Sequence, residues 1–484
     1  MESRVKLFFR KFCFQKFLNL KHNIVVIALL LTTCNKSYSQ ISIELIGFDS
    51  ISNMMVIFQN GKNLYNATTI QSKNHHFYID SNKIKSINLL TIIDTVSNFR
   101  KQIIYQNLPL QLKYIKTDDY DSLATNSIIN NDWNDIQKMD FFADKDIESN
   151  KSIIKLSESN GNTNARKTAF DEISKIYHER DSLLQLICDR NSNNFLKSLQ
   201  NLKYDFKIPS QIRGSDRKSQ ANFVMNNYLE YYNLDNPKLR FSPYYFDRIE
   251  KYINLCLNFG SDTLIHHIDN LINKINEKED SIFYRTVCSD IVNLISDNSN
   301  PSYERTFIHL VNKYITTNDF YWTSEEEKKR FESNANLLEN NTIGKIAPDI
   351  TFLTSDSTTL HLHQVIASIT VLVFWDPDCK VCQKSMPILE KIYKEFKDKG
   401  VEIVGLCARK NNSYPQCWEY AKTNGYDWII GVDPTLASNY ANLYNVTNLP
   451  LIYLLDKDKM IFNKKVKAEK LYEWLKIAMT KQQN

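Results

Sequence analysis

Glycine is scarce in this chain: 10 residues among 484. So few turn-permissive positions argue against a turn-dense sandwich or barrel over the whole length and favour long helices. A second Cys-x-x-Cys motif is missing, and no histidine lies close to Cys407 or Cys417. Structural zinc needs four ligands and usually pairs two such motifs, so the sequence argues against a metal centre, and it calls for no cofactor. No fixed repeat period is visible, which removes a solenoid. Basic charge is lacking once the leader is set aside. Residues 1–39 hold seven Lys/Arg against Glu2, a net +6, while the whole chain carries +5, so the remainder stands near −1. No basic face is left to argue for nucleic acid.

What is present begins with that leader. Arg4, Lys6, Arg10, Lys11, Lys16 and Lys21 precede an apolar stretch, Ile24 to Leu31, whose weaker continuation ends at Cys34. Ser37-Tyr38-Ser39 then stands where a signal peptidase cuts. Residues 1–39 read as a secretory signal peptide. The apolar core is shorter than the roughly 20 residues that span a bilayer. Cys34 is loosely placed for lipidation, the one route by which membrane attachment is expected. Export permits disulfides. After cleavage seven cysteines remain: Cys188, Cys256, Cys288, Cys379, Cys382, Cys407 and Cys417. Their spacing outside Cys379 and Cys382 shows no framework, and the odd number leaves at least one free thiol.

From Ile41 to about Ile115 short runs alternate apolar and polar residues, as in Ile41-Ser42-Ile43-Glu44-Leu45. They predict a small antiparallel β domain over 40–130. The period then becomes helical: Leu264, Ile268, Leu271 and Ile275 share a face, as do Phe246, Ile249, Ile253 and Cys256. An all-α domain is expected over 131–340, with Ser324 and Glu327 as a capping box. Cys188, Cys256 and Cys288 read as small core residues. The neighbours His266 and His267 point in different directions and do not chelate together. After the linker Asn340–Gly344 the pattern alternates strand and helix, predicting an α/β domain over 341–484. Its strands are expected at 350–352, 360–362, 371–375, 401–406, 451–455 and 460–463. Its helices are expected at 385–396, 416–423, 436–444 and 468–481.

The pair Cys379-Lys380-Val381-Cys382 falls where the apolar run Val371 to Trp375 gives way to a helix. A thiol there faces the unpaired N–H groups and positive end of the helix, which stabilise the attacking thiolate. A second cysteine one turn on can resolve a mixed disulfide. Redox chemistry is the favoured reading over two unrelated thiols.

Residues 344–484 resemble the thioredoxin superfamily, most closely the exported TlpA/ResA-like thiol–disulfide oxidoreductases. The resemblance rests on Gly344-Lys345-Ile346-Ala347-Pro348, Phe374-Trp375, Cys379 and Cys382, Met386-Pro387, Asp433-Pro434 and Val446-Thr447-Asn448-Leu449-Pro450. The helical region with Tyr321-Trp322 looks like the domain that often precedes this module. The resemblance implies a thioredoxin-like α/β fold. It implies Cys379 as exposed nucleophile, Cys382 as buried resolving thiol and Pro450 as a cis-proline facing them. Leu449 beside it, and Trp375, would contact substrate. The implied partners are disulfide-containing envelope proteins and an upstream thiol donor, in the periplasm or envelope. The chain departs from the family where acids are usual: Ser385 and Val373 stand there. Asp376 and Asp378 set negative charge beside Cys379, while Lys380 and the helix end oppose it. Cys407 reads as an inert buried cysteine or a third redox thiol. Trp375, Trp418 and Trp428 read most simply as core aromatics. Two alternatives stay open. One is a redox-inactive docking module. The other is a thiol peroxidase, suggested by Ala347-Pro348-Asp349 but weakened because Pro377 lies only two residues before Cys379 with no threonine between.

Overall fold

Alternating burial builds the first strands. In β1 (Gln40–Ile46) Ile41, Ile43 and Leu45 turn inward while their neighbours stay at the surface. The computed structural model describes residues 40–482, apart from 49, 74, 85–88, 95, 98, 191–193, 277–279, 299, 318 and 410–412. The signal peptide and Cys34 lie outside the described residues.

The described residues divide into two compact units, one reaching residue 58 and continuing over 65–193, the other holding 59–64 and everything from 194 on. The strands that follow β1 are β2 (Asn53–Asn60), β3 (Asn63–Gln71), β4 (His76–Asp80), β5 (Leu89–Ile93), β6 (Arg100–Ile104), β7 (Leu110–Ile115) and β8 (Ser122–Thr125). They form two sheets, ordered β4-β1-β7-β8 and β3-β2-β5-β6. The pairing is antiparallel at β1–β4, β7–β8, β2–β5 and β5–β6, and parallel at β1–β7. Two long helices follow, α1 (Ile128–Ser159) and α2 (Thr163–Arg190). Buried Asn130 ties α1 to the end of β6: its amide donates to the Ile104 carbonyl and accepts from the Ile104 N–H, both at 2.8 Å. The change from strand to helix thus falls where the sequence pattern changes, yet these two helices group with the strands.

The second unit begins with the helices α3 (Asn194–Lys203), α4 (Ser210–Arg213), α5 (Arg217–Tyr232), α6 (Tyr245–Leu257), α7 (Ser261–Asn276), α8 (Ser281–Ser296), α9 (Glu304–Leu310) and α10 (Glu325–Glu339). The apolar stripe of α7 is buried, and Ser324 and Glu327 form the capping box of α10. Cys256 and Cys288 are fully buried, and burial pushes the Cys256 thiol up to about 12. Both sit as core residues.

The α/β part is a seven-stranded sheet ordered β10-β9-β13-β12-β11-β14-β15. Its strands are β9 (Thr351–Leu353), β10 (Thr359–His361), β11 (Ile369–Trp375), β12 (Val401–Cys407), β13 (Ile429–Val432), β14 (Leu451–Asp456) and β15 (Ile461–Lys464). Its helices are α11 (Lys380–Phe396), α12 (Pro415–Thr423), α13 (Tyr440–Leu443) and α14 (Ala468–Gln482). β11 runs parallel to β12 and antiparallel to β14, and every one of its residues is buried. A strand covered on both faces reads as continuous apolar sequence. Val371, Val373 and Trp375 pack with Met386 and Leu389 of α11 and Leu471 of α14. Leu372 and Phe374 face the other way, onto Tyr440, Tyr444 and Tyr453.

Three elements differ from expectation. α11 begins at Lys380, five residues before the expected Ser385, because Cys379 itself caps it. α13 is shorter than 436–444: Leu436 and Asn439 hold left-handed φ of 58° and 52°, and the Asp433 carboxylate takes the N–H groups of Ala437 and Ser438. Strand β13 was not anticipated. Its Gly431 admits Phe352 of β9 so closely that a Cβ there would lie 2.4 Å from the ring.

A buried ion pair links the helices of this unit to the sheet. Lys464, 1% exposed, pairs at 2.5 Å with Glu304 of α9, which is 7% exposed. Lys465 adds a second cation at 3.1 Å, and Asn341 accepts from Lys464 as well. Burial holds the Lys464 ammonium below its ordinary range, against the pull of Glu304. Among the described residues no helix is long and apolar enough to cross a membrane.

Candidate active site

The end of β11 delivers the chain to a short turn, Asp376–Asp378, and α11 starts immediately after Cys379. Cys379 is the N-cap of this 17-residue helix, with extended backbone angles (φ −74°, ψ 112°). Its sulfur accepts the backbone N–H of Cys382 at 3.3 Å. A sulfur in that position meets an unpaired donor of the first turn and the positive end of the helix dipole, both favouring negative charge.

The two thiols occupy different surroundings. Cys379 is half-buried, whereas Cys382 is fully buried. Burial pushes the Cys382 thiol up to about 12, helped by the neighbouring Cys379, while a hydrogen bond from the Asp376 backbone works the other way. Cys382 rests in the core cluster with Trp375, Met386, Cys407 and Cys417.

Across from the pair, the Leu449–Pro450 peptide is cis. The Cys379 thiol lies 3.5 Å from the Leu449 carbonyl oxygen, toward which it donates. The sequence thus names Cys379, Cys382, Leu449 and Pro450, from segments about seventy residues apart, and the structure brings them together. Trp375 is a correction. It is fully buried, in contact with Tyr420, and Gly405 leaves space for its indole. It presents no surface to a substrate chain and belongs to the core.

The family's usual acids remain absent: Val373 is fully buried in β11 and Ser385 lies buried on α11. Beside Cys379 the structure shows one residue that sequence reasoning missed. Arg409 stands two residues past β12, with its side chain 10% exposed. Its guanidinium lies 3.4 Å from Asp376 Oδ1 and also reaches Asp378 and Gln416. A groove lined by Asp376, Asp378, Cys379, Ala408, Arg409, Ser413 and Leu449 opens over the thiol. The signal available for Arg409 was positional: a strand–helix–strand unit sets its two strands parallel, so residues just past the end of β12 fall near the turn before Cys379.

Cys407 is also corrected. It is buried, as one of the two readings had it, but it is not a thiol: it forms a disulfide with Cys417, with Cα atoms 6.3 Å apart. The two stand ten positions apart in sequence. The strand-to-helix connection turns α12 back over the end of β12, which no cysteine spacing reveals.

Residues 343–463 match the model of the AhpC/TSA family. The chain is 29% identical over 122 residues to the thiol-disulfide oxidoreductase ResA of Bacillus cereus, a match covering 25% of this chain and 68% of ResA. It is 29% identical over 118 residues to the thioredoxin-like protein YneN of Bacillus subtilis, covering 24% of this chain and 68% of YneN. A thioredoxin-like protein from Bacteroides caccae, solved as a crystal structure, aligns over 56% of this chain and 97% of its own with 20% identity and a TM-score of 0.45.

Proposed function

We propose that the chain is an exported thiol–disulfide oxidoreductase that exchanges disulfides in cell-envelope proteins through Cys379 and Cys382, a reading supported by the match of residues 343–463 to the AhpC/TSA family and by the similarity to ResA. The observation that carries this reading is the half-exposed Cys379 at a helix N-terminus, with Cys382 buried one turn on and the cis Leu449–Pro450 peptide opposite.

The Cys379 thiolate attacks one sulfur of a substrate disulfide. A Cys379–substrate disulfide forms, the substrate S–S bond breaks, and the departing sulfur leaves as a thiolate that takes up a proton. Cys382 then loses its proton and attacks the Cys379 sulfur. The mixed disulfide breaks, the second substrate thiol is released, and Cys379–Cys382 is left oxidised by two electrons. Returning it to the dithiol requires a thiol donor. The peptide beside Pro450 offers its Leu449 carbonyl to an extended substrate chain, a partner that supplies N–H groups in register.

Reduction of insulin disulfides tests the reading. Wild-type protein with a dithiol donor should accelerate insulin reduction, and Cys379→Ser should abolish it. Cys382→Ser should accumulate a Cys379-linked mixed disulfide, seen as a mass adduct. An insulin rate unaffected by Cys379→Ser would sink the proposal. A pair that no donor reduces would favour the docking module, and rapid consumption of hydrogen peroxide by Cys379 would favour the peroxidase.

A further inference from the structure

Two carboxylates directly before an attacking thiol are a poor arrangement. Like charge beside a thiol opposes the thiolate that must attack. Asp376 and Asp378 precede Cys379 by three residues and one. Arg409 answers both, lying 3.4 Å from Asp376 Oδ1 and pairing with Asp378. The Arg409 side chain is 10% exposed, so water screens its contact with Asp376 less than it would at the open surface.

What holds Arg409 there is equally specific. β12 lies beside β11 in parallel register, with Cys407 opposite Trp375. The register runs one step further, because the Ala408 N–H donates to the Trp375 carbonyl at 2.8 Å. Arg409 therefore emerges beside Asp376. The chain then returns to α12, where Gln416 meets the guanidinium and Cys417 bonds to Cys407. Both ends of the segment carrying Arg409 are tied to the strand that aims it. Cys407 and Cys417 are fully buried, whereas Cys379 is half-buried and reachable. A thiol arriving from solvent therefore meets Cys379 and not this bond.

We propose that Arg409, clamped by the Cys407–Cys417 disulfide and Gln416, is a positioning residue that offsets one of the two negative charges of Asp376 and Asp378 and keeps Cys379 reactive. This rests on Cys379 being the attacking thiol.

The test is the rate at which iodoacetamide, a neutral reagent, alkylates Cys379 in the Cys382→Ser background, followed by mass spectrometry of the Cys379 peptide at fixed pH and low salt. Arg409→Gln should slow alkylation about fivefold, and Arg409→Lys should retain most of the rate. Adding Asp376→Asn and Asp378→Asn to Arg409→Gln should return it to within about twofold of the parent. Cys407→Ala/Cys417→Ala should slow the rate in the same direction, without adding to Arg409→Gln. Should that double variant fail to fold, by circular dichroism, Gln416→Ala takes its place. An unchanged rate in Arg409→Gln overturns the proposal, and so does a triple variant as slow as Arg409→Gln, because the residue would then act through packing. Insulin turnover by the same Arg409 variants with Cys382 intact separates the two readings. Failure of turnover in otherwise wild-type protein with Cys382 intact, alongside the expected alkylation pattern, removes the exchange function, whereas normal turnover with an unchanged Arg409→Gln alkylation rate removes only the role of Arg409.

Discussion

Cys379 and Cys382 sit three residues apart and meet different media. Burial pushes the Cys382 thiol up to about 12, so near neutral pH it carries its proton. Below that value its thiolate fraction rises tenfold with each pH unit. In Cys379→Ser protein, alkylation of Cys382 should therefore be negligible at pH 7 and climb about tenfold per unit up to pH 10, as read by mass spectrometry. A rate indifferent to pH would mean the thiol is not held neutral. At this scale the sequence was informative where chemistry is local. The cysteine pair, the proline and the missing acids at Val373 and Ser385 are visible in the letters. Arg409 was not, because it stands 33 residues beyond Asp376 and becomes its neighbour only through the pairing of β11 with β12.

Elements follow the same logic one level up. β11 and β12 were legible because strands covered on both faces are long and apolar. β13 has only four residues, one of them glycine, and a run that short carries no periodicity. Its glycine is nonetheless required by the sheet: a Cβ on Gly431 would lie 2.4 Å from the Phe352 ring. Gly431→Ala should cost about 1–3 kcal/mol in urea unfolding, as overpacked cores do. Gly431→Ala with Phe352→Leu should recover part of that loss. If the single variant unfolds like wild type, β9 and β13 do not approach as described. For α11 two signals disagreed: the apolar period began only at Ser385, because Lys380 and Val381 are exposed, whereas the cysteine pair already read as the helix start, which is where Cys379 caps it.

Over the second unit, the pair Lys464–Glu304 decides how the helices and the sheet hold together. Both side chains are nearly inaccessible, at 1% and 7% exposure. Removing one partner leaves a buried charge uncompensated, a loss of about 3–5 kcal/mol. Glu304→Ala should lower the urea midpoint accordingly. Replacing both by apolar residues, Glu304→Leu with Lys464→Met, should cost much less. Equal losses in the single and double variants would mean that the pair acts through shape alone. Sequence reading placed both residues in separate domains and had no means of joining them, since they are 160 positions apart. It also drew its boundary at the change from strand to helix, whereas α1 and α2 group with the strands.

The second cysteine pair has a consequence for how the protein is born. Cys407 and Cys417 must meet an oxidant once, before the sheet closes over them. An oxidant able to join those two finds Cys379 and Cys382 more easily, because Cys379 stays within reach after folding. Folding therefore sorts two chemically identical pairs by access alone: the Cys407–Cys417 bond is shut inside the finished scaffold, while Cys379 stays open to whatever thiol or disulfide arrives next.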